Sequence, residues 1–170
     1  WRPLLATSWQ SVNQTTWSFT LRQGVRFHDG APFTFKDVVY TACRIANMVD
    51  GPSPFTLFTG RIANILSSSP LDMTIETVGP HPQLPAELST WGILSATANG
   101  VAGDIMYSSD GCTGIAEYPV REDFEKRGKS VGTGPFKLTE FVADDRIVMD
   151  RNESYWGPQA YWTGLNFRLL

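Results

Sequence analysis

Two histidines and two cysteines in 170 residues leave little material for a metal centre or a nucleophile with its base. The carboxylates are scattered, and with these four side chains they nowhere adopt the spacing of a tight metal site. No GxxxxGK[ST] or GxGxxG pattern is present. Gly132-Thr133-Gly134 is followed by Pro135, which removes an amide that a phosphate would need, so it reads as a structural turn. No GxSxG elbow accompanies His28-Asp29, and a His before a turn is expected to satisfy its ring by hydrogen bonding. His81 stands between Pro80 and Pro82 and is expected to be exposed.

A basic excess is also missing. The net charge is -3 and the sequence pI is about 5.3, which excludes the electrostatic footprint of a general nucleic-acid binder. No apolar run approaches bilayer length. There is no internal repeat, no leader and no initiator Met. The chain opens on Trp1-Arg2-Pro3 and reads as an internal piece of a longer protein, so the missing leader says nothing of the compartment.

What is present is core material. Hydrophobic residues make up 42% and charged residues 18%, enough for one ordinary domain or two small ones. Aromatics reach 12%, including six Trp, which favours an aromatic core or a surface that stacks on ligands.

The strongest local signals lie between Trp17 and Tyr40. Trp17, Phe19 and Leu21 alternate with Ser18, Thr20 and Arg22, the period of a half-buried strand. Asp29-Gly30 is a turn, and Thr34 with Asp37 resembles a capping box. The helix that follows should bury Val38, Val39, Ala42, Ile45 and Ala46 on one face.

Elsewhere the punctuation sets the elements. Trp1–Thr16 is mixed, with a polar turn from Ser11. Asp50-Gly51-Pro52-Ser53-Pro54 breaks the chain directly before Phe55, Leu57 and Phe58. Met73, Ile75 and Thr77 mark a strand, and Gly79-Pro80-His81-Pro82 is the best internal boundary. Leu84–Ala98 is helical in part, Gly100–Gly114 reads as a loop, and Glu122–Arg127 as a short solvated helix. A hairpin follows over 136–151, with Asp144-Asp145 as its solvated tip, and Leu165–Leu170 is a further strand. Strands before and after one good helix give an α+β or α/β arrangement.

Cys43 in the helix and Cys112 in the Gly/Ser-rich loop admit two readings. Either both are thiols, one buried and one incidental, or they form a candidate disulfide that requires an oxidising compartment. Asn13-Gln14-Thr15 and Asn152-Glu153-Ser154 fit the glycosylation pattern, which matters only in a eukaryotic secreted protein. Most of the aromatics should be core. Phe55, Phe58 and Trp91, beside breakers or in loops, are the candidate ligand-wall residues, because concave sites use aromatic walls with a few polar groups.

WSFTLRQGVRFHDGAPFTFKDVVYTACR closely resembles the signature region of the family-5 extracellular solute-binding proteins of bacterial ABC transporters. VGTGPFKLTEF, DRIVMDRNESYWG and LNFR follow in the family's order and spacing. Leu4-Ala6-Ser8-Trp9 and LDMTIETVGPHPQLPAELS resemble its upstream pieces. The likeness leaves out Ala102–Tyr118, which reads as a loop insertion near 102–118.

That resemblance implies a longer periplasmic or lipid-anchored receptor of α+β type, a periplasmic-binding-protein fragment with mixed sheets and few helices. Residues 1–88 would belong to the extra domain of the peptide-binding type and 89–170 to a partial first lobe. It implies non-catalytic capture of a peptide or similar small solute, with no cofactor and with a membrane permease as partner. Phe55, after Ser53-Pro54, occupies a position where peptide-binding members place an aromatic near the ligand. An incomplete lobe is expected to bind solute weakly and to form a homodimer or domain swap through unpaired strand edges. The competing readings are an interaction module that docks on the permease without solute, and a secreted hydrolase, for which the sequence supplies no catalytic set.

Overall fold

The computed structural model describes residues 2–48, 59–125 and 129–168. Its first element is β1 (Ala6–Asn13), followed by β2 (Thr16–Leu21), helix α1 (Phe35–Ala46), β3 (Ile62–Ser69) and β4 (Asp72–Thr77). Helix α2 (Leu84–Leu88), β5 (Met106–Ser108), β6 (Gly111–Thr113), helix α3 (Arg121–Glu125), β7 (Phe136–Val142), β8 (Arg146–Arg151) and β9 (Gly164–Arg168) complete the order. Two sheets result: a six-stranded one in the order β1-β2-β4-β3-β5-β6, and the meander β7-β8-β9. Every described pairing between strands is antiparallel, so the fold is α+β and the sheets are not mixed.

The register of the first sheet explains its core. Trp17 faces Ile75, Ile75 faces Ile65, Ile65 faces Tyr107, and Tyr107 faces Cys112. One row of apolar side chains therefore crosses five strands, because residues opposite one another in register point to the same face. Phe19 opposite Met73 starts a second row, which Trp9 extends onto β1. Helix α1 supplies the cover: Val38, Val39, Tyr40, Ala42 and Cys43 are buried, whereas Ile45 is half-buried and Ala46 exposed. The apolar face thus ends one turn earlier than the sequence spacing suggests.

Thr34 and Asp37 form the capping box, with the Asp37 carboxylate accepting the Thr34 N–H at 2.8 Å. The same carboxylate accepts the Ala96 N–H at 2.9 Å. Thr41 Oγ1 accepts the Leu94 N–H at 3.1 Å and donates to the Asp37 carbonyl at 2.8 Å. Helix α1 therefore holds the 94–96 segment as well as covering the sheet. Burial pushes the Asp37 carboxyl up, and the donated hydrogen bonds act against that shift without cancelling it.

Three expectations need correction. Residues 106–113 are strands of the first sheet, so a domain boundary at 88/89 crosses a hydrogen-bonded sheet. The stretch near 102–118 is correspondingly more than an inserted loop. Its hairpin pairs with β3, Tyr107 Oη donates to the Thr59 carbonyl at 3.1 Å, and Cys112 is bonded to Cys43 on α1, S–S 2.06 Å. Third, His81 is buried, at 5% exposure. Its flanking prolines fold it back onto α2, where Nε2 lies 2.8 Å from Glu87 Oε2, and its carbonyl accepts Trp17 Nε1–H at 3.2 Å.

The two sheets meet at the turns that the sequence marks most strongly. His28 N–H donates to the Gly132 carbonyl at 2.9 Å, and its ring Nε2 lies 3.0 Å from the Gly134 carbonyl. A carbonyl only accepts, so the ring proton sits on Nε2. Asn152 Nδ2–H donates to the same Gly134 carbonyl at 3.1 Å, and Trp156 Nε1–H to the Thr133 carbonyl at 3.1 Å. Arg22, at the end of β2, stacks its guanidinium 4.8 Å from the Trp156 ring centroid. Gly132-Thr133-Gly134 is therefore a docking turn whose carbonyls point at partners, the reverse of a phosphate cradle.

Candidate functional site

The described part of the chain holds an apolar cleft of about 180 Å³ between the start of β1 and the segment that follows α2. One wall is Leu4, Leu5 and Trp9. Arg22 fixes it, its N–H donating to the Leu5 carbonyl and its Nε–H to the Leu4 carbonyl, both at 2.8 Å. The floor is core: Phe19, Leu21, Phe33 and Met73. The opposite wall is Pro85, Leu88, Trp91 and Ile93.

Local chemistry puts Trp91 there. Pro85 in the first turn of α2 matches a position where a missing N–H costs nothing. Successive turns then carry the chain onward: Ser89 N–H donates to the Ala86 carbonyl at 3.2 Å and Trp91 N–H to the Leu88 carbonyl at 3.1 Å. The anchors from α1 at Leu94 and Ala96 hold the far side. Trp91 Nε1 is buried and has no hydrogen-bond partner. The cleft is thus a greasy slot, suited to an aliphatic or aromatic group.

Of the three candidate ligand residues, Trp91 lines this cleft. Phe55 and Phe58 lie outside the described residues. Trp9, Leu88 and Ile93 were not singled out by sequence reasoning. The signal that could have found Trp9 is its place opposite Phe19 in a two-stranded register, which needs β1 to be recognised as a strand.

His28 and the Asp144-Asp145 pair sit at structural turns. His28 is tied to Gly134, and burial lowers its pKa below the usual imidazole value. The Asp144-Asp145 tip is exposed, with Asp144 at φ 59, a left-handed turn position that Asp tolerates. Among the described residues no group of three or more His, Cys, Asp or Glu could hold a metal ion. No described helix is long and apolar enough to cross a membrane.

Residues 1–170 match the family model described as bacterial extracellular solute-binding proteins, family 5 Middle. The periplasmic murein peptide-binding protein MppA of Escherichia coli is 28% identical over 172 residues, covering 91% of this chain and 28% of that protein. DppA of Helicobacter pylori, solved in complex with the peptide STSA, is 26% identical with a TM-score of 0.71, covering 99% of this chain and 34% of that one. NikZ of Campylobacter jejuni, solved in complex with Ni(L-His), shares the fold at 20% identity and a TM-score of 0.76, over 99% of this chain and 31% of its own. The chain spans about a quarter of the length of the curated relatives it matches. With the whole of its length matched to one family model, and the fold shared with solved members of the same type, the chain belongs to the bacterial extracellular solute-binding proteins, family 5.

Proposed function

We propose that this chain is part of a receptor that captures a peptide or similar small solute, without chemistry, for an ABC importer. The observation that carries this reading is the family match over the whole chain, supported by the fold shared with a relative solved around a peptide. Such a receptor works outside the cytoplasmic membrane, in the periplasm or tethered to the cell surface, and hands its solute to a membrane permease. The mechanism is population shift: solute stabilises a closed arrangement through contacts that the open one lacks, and the permease reads the closed form.

Within this reading the Trp91 cleft takes an apolar side chain of the solute. The unit built by residues 6–113 corresponds to the extra domain, and the β7-β8-β9 meander to part of the first lobe. Because capture needs two closing lobes, the 170-residue chain alone binds solute weakly, and the open edges of β7 and β9 favour a homodimer or strand exchange at high concentration.

Calorimetry of the intact protein with peptides of varied side chains, beside a Trp91→Ala variant, tests the assignment. Replacing Trp91 should weaken peptides with large apolar side chains about tenfold or more and leave polar ones nearly unchanged. Equal losses for both classes, or none, would remove the cleft from the binding site. Turnover of a peptide would instead favour a hydrolase.

A further inference from the structure

Away from the Trp91 cleft, the C-terminal half of α1 carries a set of hydrogen-bond donors with no acceptor. Tyr40 is fully buried, at 0% exposure, yet among the described residues its hydroxyl has no partner. Arg44 stands one helical turn on, on the same face, where side chains four apart are neighbours. Its Nε is buried and also unpartnered. The rest of its guanidinium lies flat, 4.3 Å from the Phe124 ring centroid, and Nη1 has only the Met48 sulfur at 3.7 Å. No carboxylate pairs with Arg44 among the described residues. Tyr118 closes the group: its Oη accepts from Asn47 Nδ2 at 3.4 Å, which leaves its own proton undonated.

This arrangement is costly without an occupant. A buried hydroxyl and a buried guanidinium nitrogen each lose their water contacts, and neither regains them from protein. Burial pushes the Tyr40 phenol up to about 12 and raises that of Tyr118, so both remain protonated donors at neutral pH. Burial lowers the Arg44 pKa from a value so high that the group stays charged. The Arg44 charge and the Tyr118 phenol both act on Tyr40, so the three groups lie near one another. Tyr40 is fully buried, and Arg44 and Tyr118 are half-buried, so part of each reaches the surface.

We propose that Arg44, Tyr40 and Tyr118 form a carboxylate-binding site, with the Arg44 Nε–H and the two tyrosine hydroxyls donating to one carboxylate. The planar group of a small organic acid, or the free C-terminus of a peptide, has the acceptors that this set lacks. The Phe124 ring lies against the guanidinium, 4.3 Å from its central carbon. This inference is independent of the solute-capture reading, since the site can bind a carboxylate whether or not the intact protein is a peptide receptor.

The test is calorimetry and thermal melting of the intact protein with sodium acetate at constant ionic strength, sodium chloride being the control. A second arm compares trialanine with its C-terminal amide. Acetate should bind saturably and raise the melting temperature. Arg44→Gln should weaken it about tenfold or more, and Tyr118→Phe, a milder change at a half-buried position, severalfold, with the far-ultraviolet circular dichroism unchanged. Trialanine outcompeting its amide would make a peptide C-terminus the source of the carboxylate; equal behaviour of the two, with acetate still bound, would make it a small free acid. No saturable acetate effect, or the same effect in Tyr118→Phe as in the wild type, would overturn the proposal. Tyr40→Phe gives a second check if Arg44→Gln does not fold: it removes one hydroxyl from the same set and should also reduce the acetate response.

Discussion

Asp37 shows how much one side chain is asked to do. Its carboxylate caps α1, holds the Ala96 amide and so supports one side of the Trp91 cleft, all at 4% exposure. Because burial raises its pKa above the ordinary aspartate value of 3.8, its stabilising contribution is fully present below that value and is lost as pH rises through the raised one. Asp37→Asn should therefore flatten the pH dependence of unfolding on the alkaline side of 3.8 while costing on the order of 1 kcal/mol at acid pH. Urea melts across that window check it. His28 acts in the opposite sense. Burial lowers its pKa against the opposing Gly134 hydrogen bond, so the folded state favours the neutral ring and stability should fall as pH drops below 6.5 towards the lowered value. In His28→Gln that part of the acid slope should disappear.

At the scale of elements, the hairpin β5–β6 depends on covalent and steric supports outside its own few residues. Cys112 ties it to α1 across a sequence separation of 69, which by loop-closure entropy corresponds to about 4 kcal/mol. Cys112 is half-buried, within reach of a reductant. Dithiothreitol, or Cys43→Ala with Cys112→Ala, should lower the melting temperature by several degrees; an unchanged melt would show the hairpin to be held by β3 alone. Gly114 ends the hairpin at φ +82, and a Cβ there would stand 2.0 Å from the Asp104 carbonyl oxygen. Gly114→Ala should cost at least about 1–3 kcal/mol, through both the left-handed backbone and the clash.

The same scale explains what was legible beforehand. Strand β2, helix α1, strand β4 and the β7–β8 hairpin each carry their own signal: alternation at Trp17, Phe19 and Leu21, a cap at Thr34, a turn at Asp144. Strand β1 does not, because it is an edge strand whose Thr7, Ser8, Gln10 and Ser11 face solvent, and its pairing comes from β2. Strands β5 and β6 are three residues each and exist through β3 and the cystine. Of the candidate site, Trp91 stood out as an aromatic behind a Pro-rich turn, but the rest of its cleft is assembled across the sheet. The buried state of His81 likewise depends on Glu87 and on Trp17, a partner 64 residues away in sequence.

For the whole molecule, the two sheets dock through the His28 and Gly132–Gly134 turns, with Trp156 over Arg22. This makes the first sheet and the meander one supported framework. Under the proposed solute capture, this framework contributes an aromatic-walled cleft, and closing on the solute requires the second lobe. The measurement closest to that claim is native mass spectrometry of the intact protein purified without denaturation. The account predicts a mass increment of a small solute, a peptide or similar molecule, that is released on denaturation and reduced in Trp91→Ala. An intact protein that carries no solute, and that gains none from a mixed peptide pool, would contradict it.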